Sequence, residues 1–151
     1  MQKDNRLYQL AENVLKNSVK LKKGEKIYIE AFGPAVLDLM EIFIRKATEL
    51  GGVPFYFYND EHLLKAVIDN ASEEQMKAFG ETYRQQMASS DVYVALRGYD
   101  DIFALSDVNE RQMALYIQHY YNPVHRSTRV PRTRWCVMRY PCLLYTSDAA
   151  D

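Results

Sequence analysis

Apolar positions in the first part of the chain follow a helical period, then a strand period, then a helical period again. Apolar residues at i, i+3, i+4 and i+7 spacing predict an amphipathic helix over Asp4–Lys20. Alternation of apolar and mixed positions predicts a strand over Ile27–Ala31. A second apolar stripe predicts a helix over Pro34–Leu50, which ends at the glycine pair Gly51 and Gly52. This part of the chain therefore predicts a strand and its crossover helix.

The middle of the chain repeats this alternation of strand and helix. Aromatic and apolar residues predict a second strand over Val53–Tyr58 and a third over Val92–Arg97, and the third is almost continuously apolar. Between them, a short helix is predicted over Leu63–Asp69. Ser72 with Gln75 three residues later forms a capping box, which predicts the start of a longer helix before the third strand.

The last part of the chain predicts one more helix and one more strand. Asp107 and Glu110 predict the beginning of a helix that runs through Ile117, and the proline-containing segment 122–132 is predicted to be a loop. A fourth strand is predicted over Arg134–Arg139. Strands joined by helical crossovers predict an α/β fold, with a mainly parallel four-stranded sheet and helices on both faces, as in the flavodoxin-like three-layer architecture.

Composition and charge exclude several classes of protein. The chain has 151 residues, 48% hydrophobic and 26% charged, which fits one globular domain. Its 19 Lys and Arg and 20 Asp and Glu give a formal net charge of -1, so no overall field attracts a polyanion or a membrane surface. No apolar run reaches the roughly 18 residues that cross a bilayer, and two cysteines are too few for a disulfide framework. We therefore expect a cytoplasmic protein without a membrane partner.

Residues 142–151 differ in character from the rest of the chain. Their sequence, CLLYTSDAAD, is similar to the translated transposon-end adapter of sequencing libraries, and such segments are excluded from fold reasoning. We therefore expect residues 142–151 to be a non-native tail and the native part of a shortened gene to end near Pro141. The domain is accordingly expected over residues 1–141.

Candidate chemistry is expected in the loops that follow the strands, since parallel sheets carry functional loops at the carboxyl ends of their strands. The segment EAFGPA after the first strand has one glycine where a dinucleotide site needs the three of G-x-G-x-x-G. No G-x-x-x-x-G-K-[ST] segment occurs anywhere in the sequence. The sequence therefore does not predict a glycine-rich phosphate loop.

Two polar clusters follow strands and allow two interpretations each. Asn59, Asp60, Glu61 and His62 form a cluster of possible ligands for a hard cation, but the same residue types also begin helices, and a helix N-cap is the favoured interpretation. The neighbouring acids Asp100 and Asp101 form a candidate proton-transfer pair, against which we favour a solvated turn.

The histidines and the first cysteine carry no metal or nucleophile motif. His62, His119 and His125 include no H-E-x-x-H pattern, so no metal site is assembled from them. Cys136 lies in the fourth predicted strand beside Trp135, an apolar setting that raises a thiol pKa and leaves the group inert.

A basic run near the end of the chain is the strongest local charge signal. Together with nearby aromatic residues it is compatible with a nucleic-acid surface, although the near-neutral total charge disfavours that interpretation. The alternative is that these arginines pair with acids of another domain or subunit. The run consists of Arg126, Arg129, Arg132, Arg134 and Arg139, with Tyr120, Tyr121 and Trp135 beside it.

The order of several segments resembles one known family. The phrases LKKGEKIYIEA, RKATELGG, VPFYFYND, ALSDV and RWCVMRYP occur in this order and cover nearly all of residues 1–141. Together they are similar to the N-terminal domain of the thermophilic-type metalloaminopeptidases, the family of aminopeptidase T, aminopeptidase S and PepS. The specificity of the resemblance lies in this order, because each phrase alone is a common α/β pattern.

The resemblance implies a cytoplasmic, homodimeric enzyme that releases N-terminal amino acids from peptides with two divalent metal ions, Zn, Co, Mn or Mg. In that family the metal ligands belong to a C-terminal domain. No catalytic, cofactor-binding or metal-ligating residue is therefore assigned within this chain, and the chain alone is expected to be inactive. The peptide substrate is expected to bind through the missing domain.

Two other functions remain open from the residues alone. The first is a stand-alone α/β module that binds a small anion at its strand ends, which the lack of a glycine-rich phosphate loop disfavours. The second is a nucleic-acid binder that uses the basic run.

Overall fold

A single parallel sheet organises the molecule. The computed structural model describes residues 5–98 and 104–139. Within them lies a four-stranded sheet of order β2-β1-β3-β4 in which every pair of neighbours is parallel. The predicted mainly parallel sheet is thus confirmed. The strands are β1 (Lys26–Phe32), β2 (Val53–Asn59), β3 (Val92–Arg97) and β4 (Arg134–Arg139).

Helices connect each strand to the next and cover both faces of the sheet. The three-layer α/β architecture predicted from the sequence is confirmed. The helical segments along the described chain are α1 (Asn5–Asn13), a π-helical turn (Val14–Ser18), a 3-10 turn (Pro34–Val36), α2 (Leu37–Glu49), α3 (Glu61–Asp69), α4 (Glu73–Ala88), α5 (Glu110–Tyr116), the π-helix (Ile117–Arg129) and a last α-helical turn (Val130–Arg132).

Alternate residues of the strands enter two separate cores. On one face, Ile27 and Ile29 of β1 lie in an apolar cluster with residues of α1 and α2. On the other face, Tyr28 of β1 and Tyr93 of β3 lie in a cluster with residues of α4 and the π-helix. Burial on both faces explains the nearly continuous apolar sequences of the two central strands. Glu30 of β1 is the exception, since it carries a carboxyl group and is 0% exposed.

The predicted loop over residues 122–132 is wrong, because this segment is helical. Pro123 lies inside the π-helix, where its missing N–H removes one backbone hydrogen bond. The hydroxyl of Thr128 donates to the carbonyl oxygen of Pro123 at 2.8 Å and bridges the wide helical turn. Tyr120 and Val124 of the same segment are buried in the second core, so tertiary packing outweighs the local proline signal.

Side-chain caps begin α3, α4 and α5. Ser72 and Gln75 form the predicted capping box at the start of α4. At α5 the predicted caps were wrong, because Asn109 is the N-cap and its side chain accepts from the backbone N–H of Gln112 at 2.9 Å. Asn109 holds this position because its short amide oxygen reaches an N–H that has no partner inside the helix.

None of the helices in the described ranges has the length and apolar content that crossing a membrane would require. Asp100, Asp101 and the predicted tail over 142–151 lie outside the described residues.

Candidate functional site

A cavity of about 230 Å³ lies at the carboxyl ends of three strands. Phe32 ends β1, Asn59 ends β2 and Arg97 ends β3, and all three line this cavity. From β1 the chain adds β2 on one side of the sheet and then β3 on the other, so the strand order reverses between β1 and β3. Ligands of such sheets bind in the crevice at that point. The topology therefore places this cavity where α/β proteins bind small molecules.

The carboxyl group of Glu30 lies in the sheet close to Asn59 and Tyr93. Its Oε1 accepts from the hydroxyl of Tyr93 at 2.6 Å, and its Oε2 accepts from Nδ2 of Asn59. Burial raises the pKa of Glu30 to about 7, against the hydrogen bond from Tyr93 and the charge of Arg97, which lower it. The carboxyl is therefore partly protonated at neutral pH, and it holds Asn59 at the cavity wall.

Arg129 and His125 form a second buried pair, on the π-helix. Nε of Arg129 donates to Nδ1 of His125 at 2.9 Å, and the guanidinium lies over the rings of Tyr93 at 5.2 Å and Trp135 at 4.8 Å. Burial and the charge of Arg129 lower the pKa of His125 to about 3. His125, which lines the cavity, is therefore neutral, and since Nδ1 accepts, its proton is on Nε2, which acts as a donor.

Tyrosine rings form much of the cavity wall. Tyr83, Tyr116, Tyr120 and Tyr121 all line it. Tyr120 packs edge to face on Tyr83 with ring centroids 5.7 Å apart and stacks on Tyr116 at 5.1 Å. Burial raises the pKa of Tyr83 and of Tyr120, so both hydroxyls stay protonated at neutral pH. The wall thus offers flat apolar surface together with hydroxyl groups.

Arg97 places a cation at the cavity. Its guanidinium lies 5.8 Å from the ring centroid of Phe32. Its Nε is buried and has no hydrogen-bond partner among the described residues. A buried donor without a partner is costly, so the position favours a ligand that accepts a hydrogen bond.

The predicted cluster of residues 59–62 divides between two roles. Asp60 is the N-cap of α3, and its Oδ1 accepts from the backbone N–H groups of His62 at 2.8 Å and Leu63 at 3.4 Å. This confirms the N-cap interpretation. Asn59 binds Glu30 instead, and Glu61, which is 8% exposed, lines the cavity.

The histidines and Cys136 do not form a metal centre. Within residues 5–98 and 104–139, no three His, Cys, Asp or Glu side chains come together in a way that could hold a metal ion. His119 lies on the π-helix, with Nε2 at 3.5 Å from Oε2 of Glu73. Cys136 is half-buried and burial raises its thiol pKa, as the sequence predicts.

The arginines of the basic run are not equally open to solvent. Arg129 is 6% exposed. Arg134 binds Glu25, and its Nε donates to the carbonyl oxygen of Val19 at 2.7 Å. The expected acid partner in another domain is wrong for Arg134, because Glu25 belongs to the same domain. Arg126, Arg132 and Arg139 are exposed.

The sequence did not identify Glu30, Tyr93 or Arg97 as site residues. The one usable signal was the single acid inside the otherwise apolar segment KIYIEAF, since a buried charge needs partners. Those partners come from other strands, and their identity depends on the register of the sheet.

One solved structure shares the fold of this chain. The structure superimposes on that of wild-type AmpT from Thermus thermophilus with a TM-score of 0.66 at 18% identity, covering 90% of this chain and 36% of that chain. A LacI-family transcription regulation repressor from Corynebacterium glutamicum gives a TM-score of only 0.37 at 10% identity, covering 88% of this chain and 59% of that chain. No curated protein sequence matches the chain.

The family assignment rests on the sequence. The profile of the family described as "Thermophilic metalloprotease (M29)" matches residues 3–147, which is nearly the whole chain. The chain therefore belongs to the thermophilic metalloprotease family.

Proposed function

We propose that this chain is the amino-terminal, non-catalytic part of an aminopeptidase that uses two divalent metal ions. The observation that carries the proposal is the family match over residues 3–147. The structural match supports it, since the chain spans 36% of the length of AmpT. In this proposal the longer parent releases N-terminal amino acids from peptides.

The described residues do not fit a dimetal centre. Such a centre needs several carboxylate, imidazole or thiolate ligands close together, and residues 5–98 and 104–139 contain no group of three. The proposal therefore assigns the metal ligands, whether for Zn, Co, Mn or Mg, to polypeptide that follows this domain in the parent. No catalytic step is assigned to the described residues.

The remaining features of the proposal concern the parent protein. It is a homodimer in the cytoplasm, and its peptide substrate binds mainly through the metal-bearing domain. Nucleic acid and membrane are not among its partners. The near-neutral charge and the burial of Arg129 support the first of these exclusions.

The experiment compares this chain with its longer parent. The 151-residue chain is incubated with Zn²⁺ or Co²⁺ and an aminoacyl chromogenic substrate, and metal binding is measured by calorimetry. We expect no turnover and no tight two-ion binding. A longer protein that joins this domain to the proposed metal-bearing domain is expected to show both. Turnover by the 151-residue chain, or an inactive parent, would contradict the proposal.

A further inference from the structure

We propose that the cavity at the carboxyl ends of β1, β2 and β3 binds a small carboxylate with a flat apolar body, with the carboxylate against Arg97. This binding function is additional to the proposed peptidase parent and does not depend on it.

The position and size of the cavity limit the ligand. The cavity lies at the point where the strand order changes, which is a binding position in open parallel sheets. Its volume of about 230 Å³ is below the roughly 300–1,000 Å³ of pockets for drug-sized molecules. The ligand is therefore a small molecule rather than a nucleotide or an extended peptide.

The hydrogen-bond donors at the cavity favour a ligand with acceptor oxygens. Arg97 and Glu61 are the charged side chains of the cavity lining. Behind the lining, Arg129 contacts His125, and Glu30, which is partly protonated at neutral pH, contacts Asn59. His125 is neutral and offers a donor at Nε2. The site therefore offers the guanidinium of Arg97 and the imidazole N–H of His125 as hydrogen-bond donors, as carboxylate sites require.

A donor of Arg97 that lacks an acceptor indicates where the carboxylate of the ligand binds. Nε of Arg97 is buried without a hydrogen-bond partner in the described part of the chain. Guanidinium groups bind carboxylates through two parallel hydrogen bonds, and a ligand oxygen would supply the missing acceptor. Arg97 is also held at the ring of Phe32, so part of the entropy cost of ordering it is already met.

The tyrosines of the cavity lining determine what the apolar part of the ligand is. Tyr83, Tyr116 and Tyr120 present ring faces and edges within one wall, and Phe79 packs on Tyr83 with centroids 4.9 Å apart. Aromatic walls of this kind favour a flat apolar group through stacked and edge-to-face contacts. A short aryl carboxylate therefore matches both the guanidinium and the aromatic rings of the lining.

The test uses three probes of similar shape and different charge. Phenylacetate, its neutral analogue phenylacetamide and the cation benzylamine are titrated into the full chain by calorimetry at low salt. We expect phenylacetate to bind at least tenfold more tightly than the other two. Equal affinity of phenylacetate and phenylacetamide, or no saturation by phenylacetate at about 10 mM, would overturn the proposal.

Variants then test the role of Arg97. Arg97→Gln should weaken phenylacetate binding at least tenfold and leave the affinity for phenylacetamide unchanged, whereas Arg97→Lys should recover part of the loss. The matched control is Arg45→Gln, since Arg45 is an exposed arginine on α2, on the opposite face of the sheet. Unchanged phenylacetate binding by Arg97→Gln would overturn the proposal. If Arg97→Gln does not fold, the comparison of the three probes on the wild-type chain still decides.

Discussion

Glu30 carries an ionisable group in a place where water cannot reach it. Burial raises the pKa of this carboxyl from 4.5, its ordinary value, to about 7. Between these two pH values the folded chain therefore holds the proton more tightly than the unfolded chain does. The contribution of Glu30 to stability is full below pH 4.5 and decreases as the pH rises to about 7.

Glu30→Gln should remove this pH dependence. From pH 4.5 to pH 7 the free energy of unfolding of the wild type should fall by about 3 kcal/mol relative to the variant, measured by urea denaturation at each pH. The pKa of His125 is lowered to about 3 from 6.5, so its contribution has the opposite sign and is lost as the pH falls through that range. That contribution is common to both proteins and cancels in the difference. Parallel stability curves would show that Glu30 is not the group responsible.

The partners of Glu30 explain why the sequence did not reveal this site. The strand around Glu30 was predicted from its alternating pattern, which is a local property. Tyr93 is 63 residues away and Asn59 is 29 residues away, and only the register of β1 against its neighbours brings them together. By contrast, the sequence predicted a helix N-cap within the cluster 59–62, and the cap is found at Asp60, because its partners are close neighbours in the chain.

At the scale of elements, the close contact between α4 and the π-helix depends on one glycine. A Cβ atom on Gly80 would lie 1.7 Å from the carbonyl oxygen of His119, far inside contact distance. The helices approach so closely because Gly80 has no side chain. The same contact helps to explain why segment 122–132 is a helix rather than the predicted loop, since packing holds the preceding turns against α4.

Gly80→Ala should therefore destabilise the protein, although alanine is the better helix former by about 1 kcal/mol. We expect a loss of about 1–3 kcal/mol, because one of the two helices must shift to relieve the clash. Thermal or urea denaturation measures the change. Ala78→Gly on the exposed face of α4 is the control and should cost only the propensity difference of about 1 kcal/mol. A stabilised Gly80→Ala variant would show that the contact is looser than described.

At the scale of the whole molecule, β2 leaves one edge of the sheet uncovered. In the described part of the chain only β1 pairs with β2. Tyr56 of this strand is 65% exposed, and Val53, Phe55 and Tyr58 are each about 40% exposed. An exposed edge with aromatic side chains is prone to pair with another chain. We therefore expect the 151-residue chain to self-associate through β2.

Tyr56→Lys should reduce this association, because a charge on an edge strand opposes pairing with a second copy. Light scattering over a range of protein concentrations should show a smaller mean mass for the variant than for the wild type. Leu63→Lys is the control, since Leu63 is equally exposed at 64% but lies on α3. A wild-type chain that is monomeric at high concentration, or equal effects of both substitutions, would contradict a role for the β2 edge.

The overall architecture was more predictable than the site for a physical reason. Parallel strands covered on both faces have an apolar pattern that appears in short stretches of sequence, and β3, which is such a strand, has the predicted bounds. The edge strand β4 also has the predicted bounds. The cavity combines Phe32, Asn59 and Arg97 from three strands with rings from α4, α5 and the π-helix. No single stretch of sequence contains this combination.

Trp135 gives the protein an internal optical reporter. It is the one tryptophan of the chain, and the guanidinium of Arg129 lies 4.8 Å from its ring centroid. Arg129 in turn holds His125 at the cavity wall. Any displacement of that arginine alters the electric field at the indole, and so shifts its emission. Steady-state fluorescence can therefore follow events in the buried polar layer without a dye or an added label.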